Sequence, residues 1–284
     1  MSLTPRRIGR TEVHPVGLGL VALTLEHADD PARAADAITT AIDAGIRLLD
    51  TAHAYTTATE DNHNERLIAR SLRGIAPADR PLISTKGGHY RSGDTFPTDG
   101  RPETLRRHCE ASLRALHVDR IDLYHLHWPD PHVPISESTG ALAELQQEGK
   151  IDLIGLSNVD LGRLTEARSE ATIATVQNPY SLFAPGDDEV LAHCERHDIA
   201  FLAYSPLRGM TTMSPPLAGT LQGLAAHYDA TTAQIALAWL LTRSPSLIVL
   251  SGATRPETVR ASAAAATITM QPEHIEQLDR EAHR

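Results

Sequence analysis

Short, almost wholly apolar runs recur along this chain, and a longer amphipathic stretch follows each of them. The runs are VGLGL from 16, RLLDTA from 47, PLISTK from 81, IDLYHLHW from 121, IDLIGLSN from 151, ATVQNPY from 174, IAFLAY from 199 and LIVLSGA from 247. A strand with one wet face would alternate apolar and polar residues. Near-continuous runs therefore predict strands buried on both faces, as in a parallel sheet. The intervening segments carry helix signals. DDPARAADAITTAIDAG opens on Asp and Pro and closes on Gly45. DGRPETLRRHCEASLRALHV sets Leu105, Cys109, Leu113 and Leu116 at helical spacing. PISESTGALAELQQEGK ends on Gly149 and Lys150, and RPETVRASAAAA has Pro and Glu in its first turn.

A strand–helix unit repeating about every 30 to 40 residues marks an α/β fold. Eight such units in 284 residues predict a (β/α)8 TIM barrel, near the usual size of about 250 residues. RRIGRTEV, ahead of the first unit, predicts a β-hairpin plugging the barrel bottom, and QPEHIEQLDREAHR predicts an extra C-terminal helix. A doubly wound sheet is the alternative, but GLGL lacks the third glycine of G-x-G-x-x-G. No linker, low-complexity tract or shift in composition divides the chain, so residues 1–284 are expected to form one domain.

Charge narrows the function classes. Lys and Arg number 26 against 36 Asp and Glu, a net charge of −10, the wrong sign for a binder of phosphate backbones. The two cysteines, Cys109 and Cys194, imply no disulfide framework and fit a reducing compartment. VGLGLVALTL is too short to span a membrane. The flanking GRTEVHP and EHADDPARAAD do not read as a signal peptide. A cytoplasmic protein is expected, with neither nucleic acid nor membrane as partner.

In a barrel, functional groups sit at the C-terminal strand ends and in the loops that follow. Those ends supply Asp50, Lys86, His127, Ser157, Asn158, Gln177, Tyr204 and Ser205, with Tyr55 five residues beyond Asp50. A phenol with a pKa near 10 is a poor acid at neutrality. An adjacent ammonium would lower that pKa, a buried carboxylate would keep the ammonium charged, and a histidine could orient a carbonyl oxygen. Together, Asp50, Tyr55, Lys86 and His127 form a proton donor suited to the alkoxide left when hydride reaches a carbonyl. Each also has a plainer reading: a helix cap for Asp50, a structural barrel lysine for Lys86, a loop aromatic for Tyr55. His125, two residues before His127, faces the same side and is expected one layer deeper as a hydrogen-bonded core histidine. The H-x-H pair could also bind a metal, as in barrel hydrolases. The later strand ends offer Ser-Asn, Gln-Asn, Tyr-Ser and Gly-Ala, which are poor zinc ligands, so no metal is expected.

Over nearly its whole length the sequence resembles the aldo-keto reductases. The matching stretches are GLGL at 17, AGIRLLDTAHAY at 44–55, NERL at 64, STKGG at 84, DLYHLHWPD from 122, EGKIDLIGLSN from 148, VQNPYS at 176, AYSPL at 203 and GATRPETV at 252. The resemblance implies a barrel that uses NADPH, with NADH as the alternative, to reduce a small aldehyde or ketone. It implies Tyr55 as general acid, Lys86 and Asp50 as the pair that tunes it, and His127 as the carbonyl-orienting group. Ser157, Asn158 and Gln177 would then hold the nicotinamide carboxamide, with Asp50 nearby and Tyr204 stacked on the ring. Ser205 and Leu207 would approach the pyrophosphate, and Gly19, Leu20 and Val21 would line the inner side. Trp128 falls at a substrate-pocket aromatic, with Val21, His89 and Tyr90 as further pocket candidates.

The departures lie at the adenosine end. Many relatives have Lys, Arg and Asn after the last strand, where this chain has Gly252, Thr258 and Ser262. Arg255, beside Thr254, is the obvious substitute for gripping a 2′-phosphate. The segment after Tyr204 is short, so an open site is expected, whereas GGHYRSGDTFPTDG after Lys86 makes an extended third loop. A second resemblance-based reading is an NADPH-binding regulator similar to potassium-channel β subunits, with slow or incidental turnover. Nothing in the residues speaks to oligomeric state.

Overall fold

The structure, a computed structural model, describes residues 4–282. Eight parallel strands close into a barrel: β3 (Val16–Gly19), β4 (Leu48–Asp50), β5 (Leu82–Gly87), β6 (Ile121–Leu126), β7 (Ile151–Ser157), β8 (Ile173–Pro179), β9 (Ala200–Tyr204) and β10 (Leu247–Ser251). They follow in chain order around the barrel, and β10 pairs with β3 to shut it. The expected hairpin is present as β1 (Arg6–Ile8) and β2 (Thr11–Val13). Its Ile8 and Val13 are buried against Leu48, Leu82, Leu123, Leu202 and Ile248, closing the N-terminal end of the barrel.

Helices α1 (Val21–Leu25), α2 (Pro31–Asp43), α3 (His63–Ser71), α4 (Pro102–Leu116), α5 (Ile135–Gln147), α6 (Leu161–Glu170) and α7 (Asp188–Arg196) occupy the crossovers up to β9. Two helices, α8 (Pro215–His227) and α9 (Thr232–Thr242), fill the crossover from β9 to β10, and α10 (Pro256–Ala264) and α11 (Pro272–Ala282) finish the described chain. The start signals act as the residue types dictate. Asp30 accepts a hydrogen bond from the Arg33 amide ahead of Pro31, and Gly45 takes a positive φ just past the helix end. The apolar run from Val16 does not continue as a strand: it breaks after Gly19, and Val21–Leu25 forms a short helix. Among the described residues no helix is long and apolar enough to cross a membrane.

Inside the barrel, residue type changes with height. The lower layer is Leu48, Leu82, Leu123, Leu202 and Ile248. Two residues further along the same strands stand Asp50, Ser84 and His125, so the barrel turns polar toward its C-terminal mouth. Gly155 on β7 makes room for that upper layer. A Cβ there would lie 2.3 Å from the His125 ring and 2.4 Å from the Thr175 hydroxyl. Gly155→Ala is therefore expected to lower stability by about 1 to 3 kcal/mol, the usual effect of overpacking. An unchanged urea midpoint would show that the His125 layer can yield.

Candidate active site

The polar centre is built on β4 and β5. Asp50 and Ser84 are paired in register, which sets Lys86 one inward position above Ser84. The Lys86 Nζ donates to Asp50 Oδ2 at 2.7 Å and to the Thr51 carbonyl at 2.7 Å. Asp50 Oδ1 accepts from Ser84 Oγ at 2.7 Å and from Gln177 Nε2 at 2.9 Å. Each member is buried, and Lys86 is fully so. Burial lowers the Lys86 pKa against the opposing pull of Asp50. An ion pair taken out of water this completely persists only because nearly every lone pair and proton has a partner.

Tyr55, in the loop after β4, and His127, just past β6, stand above this pair. The Lys86 Nζ lies 5.4 Å from the centre of the Tyr55 ring, and the Tyr55 and His127 rings meet edge to face at 5.8 Å. The lowered phenol pKa expected from the sequence is not what the structure holds. Burial pushes the Tyr55 phenol up, and the Asp50 carboxylate adds to the rise. Lys86 does not reverse this, because its charge is already matched by Asp50 at 2.7 Å. Tyr55 is thus a phenol that keeps its proton. His127 is pushed well below the usual imidazole range, chiefly by burial and then by Lys86. Its Nδ1 is buried without a hydrogen-bond partner. An N–H there would be an orphaned donor, so the proton of the neutral ring belongs on Nε2.

His125 occupies the layer below, with Nδ1 3.3 Å from Ser84 Oγ and Nε2 2.8 Å from Thr175 Oγ1. Both nitrogens are committed, and among the described residues no group of three or more His, Cys, Asp or Glu is placed to hold a metal. Burial, then the charge of Lys86, takes His125 down to about 3. Behind β5, His53 and His108 stack at 3.9 Å and are lowered to about 4 and about 3, chiefly by burial. All three sit below the value near 6.5 of an unfolded chain. Between about pH 6.5 and 3 the unfolded chain binds the extra protons, so stability is complete above that window and falls as pH drops through it. Each fully shifted histidine contributes about 1.4 kcal/mol per pH unit. Urea midpoints measured at pH 7.5 and pH 5 are expected to fall clearly; equal midpoints would contradict these directions.

Two hollows meet at the barrel mouth. A cavity of about 230 Å³ is lined by Tyr55, His127, Trp128 and Gln177, among others, and the expected Gly19, Leu20, Val21, Asp50, Ser157, Asn158, Tyr204, Ser205 and Gly252 also line it. A cleft of about 700 Å³ takes in Leu207, Thr254, Arg255, Thr258 and Ser262, and both hollows include Ser205, Pro206 and Gly252 in their walls. Asn158, at φ 60°, braces the inner end. Its Nδ2 donates to the His127 carbonyl at 3.0 Å, and its Oδ1 accepts from the Tyr204 hydroxyl at 2.7 Å. That bond fixes the Tyr204 ring at the cavity wall.

A family model for the aldo/keto reductase family matches residues 15–282. The chain belongs to the aldo/keto reductase family. It is 32% identical to the NADH-specific methylglyoxal reductase of Escherichia coli over 83% of this chain and 83% of that protein. It is 31% identical to an uncharacterized oxidoreductase of Schizosaccharomyces pombe over 97% and 89%. Among solved structures, an aldo/keto reductase from Klebsiella pneumoniae in complex with NADP and acetate superposes with a TM-score of 0.84 at 29% identity, covering 99% of this chain and 95% of that one.

The third loop of this aldo/keto reductase folds on itself through bridges between His89 and Thr98 and between Ser92 and Thr95. His89 comes within 5.0 Å of the His127 ring and 6.4 Å of Trp128. Tyr90 does not follow it: its ring packs edge-on to His108 at 6.0 Å. Successive residues point to opposite sides of an extended segment, so only one of the two can face the mouth. Several supporting groups escape sequence reasoning. The Thr51 carbonyl and the Ser84 hydroxyl complete the ion pair. Glu65, fully buried, accepts from Thr85 Oγ1 at 2.6 Å and from Asn62. Asn64 ties Thr51 to the Leu20 carbonyl. The last two lie in NERL, which the sequence offers only as a stretch resembling the family, with no role for either residue.

Proposed function

We propose that the protein reduces the carbonyl of a small aldehyde or ketone, with Tyr55 as proton donor and a nicotinamide dinucleotide as reductant. The observation that carries this reading is the stack at the mouth: the Tyr55 and His127 rings meet edge to face above a buried Lys86–Asp50 pair. The NADP of the Klebsiella pneumoniae structure and the NADH named for the Escherichia coli relative support the dinucleotide.

The residues fit such a group. The 700 Å³ cleft and the inner cavity share walls along Ser205, Pro206 and Gly252, and the braced Tyr204 ring offers a flat stacking face. Gln177, which donates its Nε2 to Asp50, keeps its carbonyl oxygen for a carboxamide N–H. Ser157 and Asn158 line the same end. When bound, the dinucleotide supplies the hydride. His127 Nε2–H orients the substrate oxygen, and Tyr55 gives it a proton as negative charge develops. Lys86, held charged by Asp50 and aimed by the Thr51 carbonyl, lies beneath the phenolate that remains. Hydride and proton together turn the carbonyl into an alcohol.

Trp128, exposed and in the wall of the inner cavity, supports a carbonyl compound with an apolar or aromatic body. Both cysteines are free and buried, which is compatible with a reducing compartment such as the cytoplasm.

The test is nicotinamide absorbance during turnover of a panel of aromatic and small aliphatic aldehydes, with NADPH and NADH in parallel. Consumption that depends on both substrate and enzyme supports the reading. Binding of a dinucleotide with no turnover of any carbonyl would overturn it.

A further inference from the structure

The charged pair belongs to a closed circuit of hydrogen bonds, which a side chain on a helix completes. The Asp50 carboxylate accepts from Lys86 Nζ at 2.7 Å, and the Asp50 carbonyl accepts from the Leu20 amide at 3.0 Å. The Leu20 carbonyl accepts from Asn64 Nδ2 at 2.7 Å, and Asn64 Oδ1 accepts from Thr51 Oγ1 at 2.7 Å. The Thr51 carbonyl accepts from Lys86 Nζ, which returns to the start. Asn64 enters from the first turn of α3 and is 1% exposed. Its Nδ2 also donates to Thr24 Oγ1 at 2.8 Å, so both protons and the oxygen of the amide are engaged.

The same residue holds Tyr55 through its backbone. The first amides of a helix need acceptors from outside it. Asn62, just ahead of α3, takes a left-handed φ of 53° and caps none of them; its side chain goes to His53 and Glu65. The Asn64 amide donates instead to the Tyr55 carbonyl at 3.1 Å. One residue thus ties together the carbonyl that aims Lys86, the cavity wall at Leu20 and the backbone that carries Tyr55. We propose that Asn64 is a positioning residue for the reaction, setting the height of the Tyr55 phenol over Lys86. The inference rests on the reductase reading above. Asn64 acts from behind the cavity wall: Leu20 and Tyr55 line the cavity, and Asn64 is buried behind them. Misplacing a reacting group by about 1 Å costs about a hundredfold in rate. Tyr55 lies in a loop, with no strand pairing to hold it to that tolerance. Ser84 and Gln177 bond the Asp50 carboxylate itself, whereas Asn64 bonds the backbone on which the acid stands.

The experiment is single-turnover reduction of an aromatic aldehyde by the full-length protein, with NADPH or NADH, whichever supports turnover. A fluorescence titration of that dinucleotide and a urea midpoint accompany it for every variant. Asn64→Ala is expected to slow the hydride step by about ten- to a hundredfold and to leave dinucleotide affinity within about threefold. In a Tyr55→Phe background the same substitution should cost less than about threefold, because its effect runs through the phenol. Thr51→Val removes the hydroxyl and keeps the carbonyl; it should show a weaker form of the same pattern, and it carries the test if Asn64→Ala does not fold. Thr24→Val breaks a bond of the same amide on the side away from the pair. It should lower the urea midpoint and leave the rate within about threefold. Equal rate losses with and without Tyr55→Phe would overturn the proposal. So would a rate loss that keeps step with lost dinucleotide affinity, or wild-type rates in both Asn64→Ala and Thr51→Val. In each of these cases the reductase reading stands. Absence of turnover in the wild type, with either dinucleotide and any carbonyl of the panel, would overturn the two together.

Discussion

Replacing Tyr55 with Phe is expected to lower turnover by about 10²- to 10⁴-fold, the usual contribution of a positioned general acid, and to leave dinucleotide affinity nearly unchanged. The substitution removes one oxygen and keeps the ring. The contacts over Lys86 at 5.4 Å and against His127 at 5.8 Å are therefore retained, and with them the shape of the cavity wall. Stopped-flow measurement of the hydride step, beside a fluorescence titration of dinucleotide, separates the two quantities. A variant with near wild-type turnover would remove Tyr55 from the chemistry and leave His127 as the remaining donor at the mouth.

Lys86→Met should affect folding as well as activity. Methionine fills much of the same volume, so the loss is electrical rather than steric. Asp50 keeps its hydrogen bonds from Ser84 and Gln177 but loses its counter-charge in a fully buried setting. Breaking one side of a buried pair destabilises a protein by about 3 to 5 kcal/mol. The Thr51 carbonyl also loses its donor. The urea midpoint is expected to fall accordingly, and turnover to fall with it. Adding Asp50→Asn removes the stranded charge and should restore part of the stability with none of the turnover. Full stability in the single variant would mean that Asp50 takes up a proton when its partner is gone.

Much of this architecture is legible in the sequence, for a physical reason. Strands buried on both faces leave apolar runs, and a polar residue at the end of such a run stands out; Asp50, Lys86 and Gln177 could all be found in that way. The limits are equally physical. A backbone carbonyl such as that of Thr51 has no sequence signature, although it receives one of the two Lys86 hydrogen bonds. Glu65 sits in HNERLIARS among charged residues and reads as surface, yet it is fully buried beside β5. The direction of the Tyr55 shift is set first by burial and then by the nearness of Asp50, which are matters of position and not of composition. Arg255 reads as a free phosphate clamp until its contact with Glu257 is seen.

Gln177 reaches Asp50 from a position 127 residues further along the chain, on the far side of the barrel. Contacts of such separation form late in folding, because the entropy of closing the loop precedes any gain from the contact. The Ser84 and Lys86 partners of Asp50 come from the neighbouring strand and are available much earlier. Without β8 the charged pair lacks its Gln177 bond and lies open to water, where such a pair is only weakly held. Closure of the ring completes the partners of Asp50, so a half-built barrel holds the charged pair without its full hydrogen bonding.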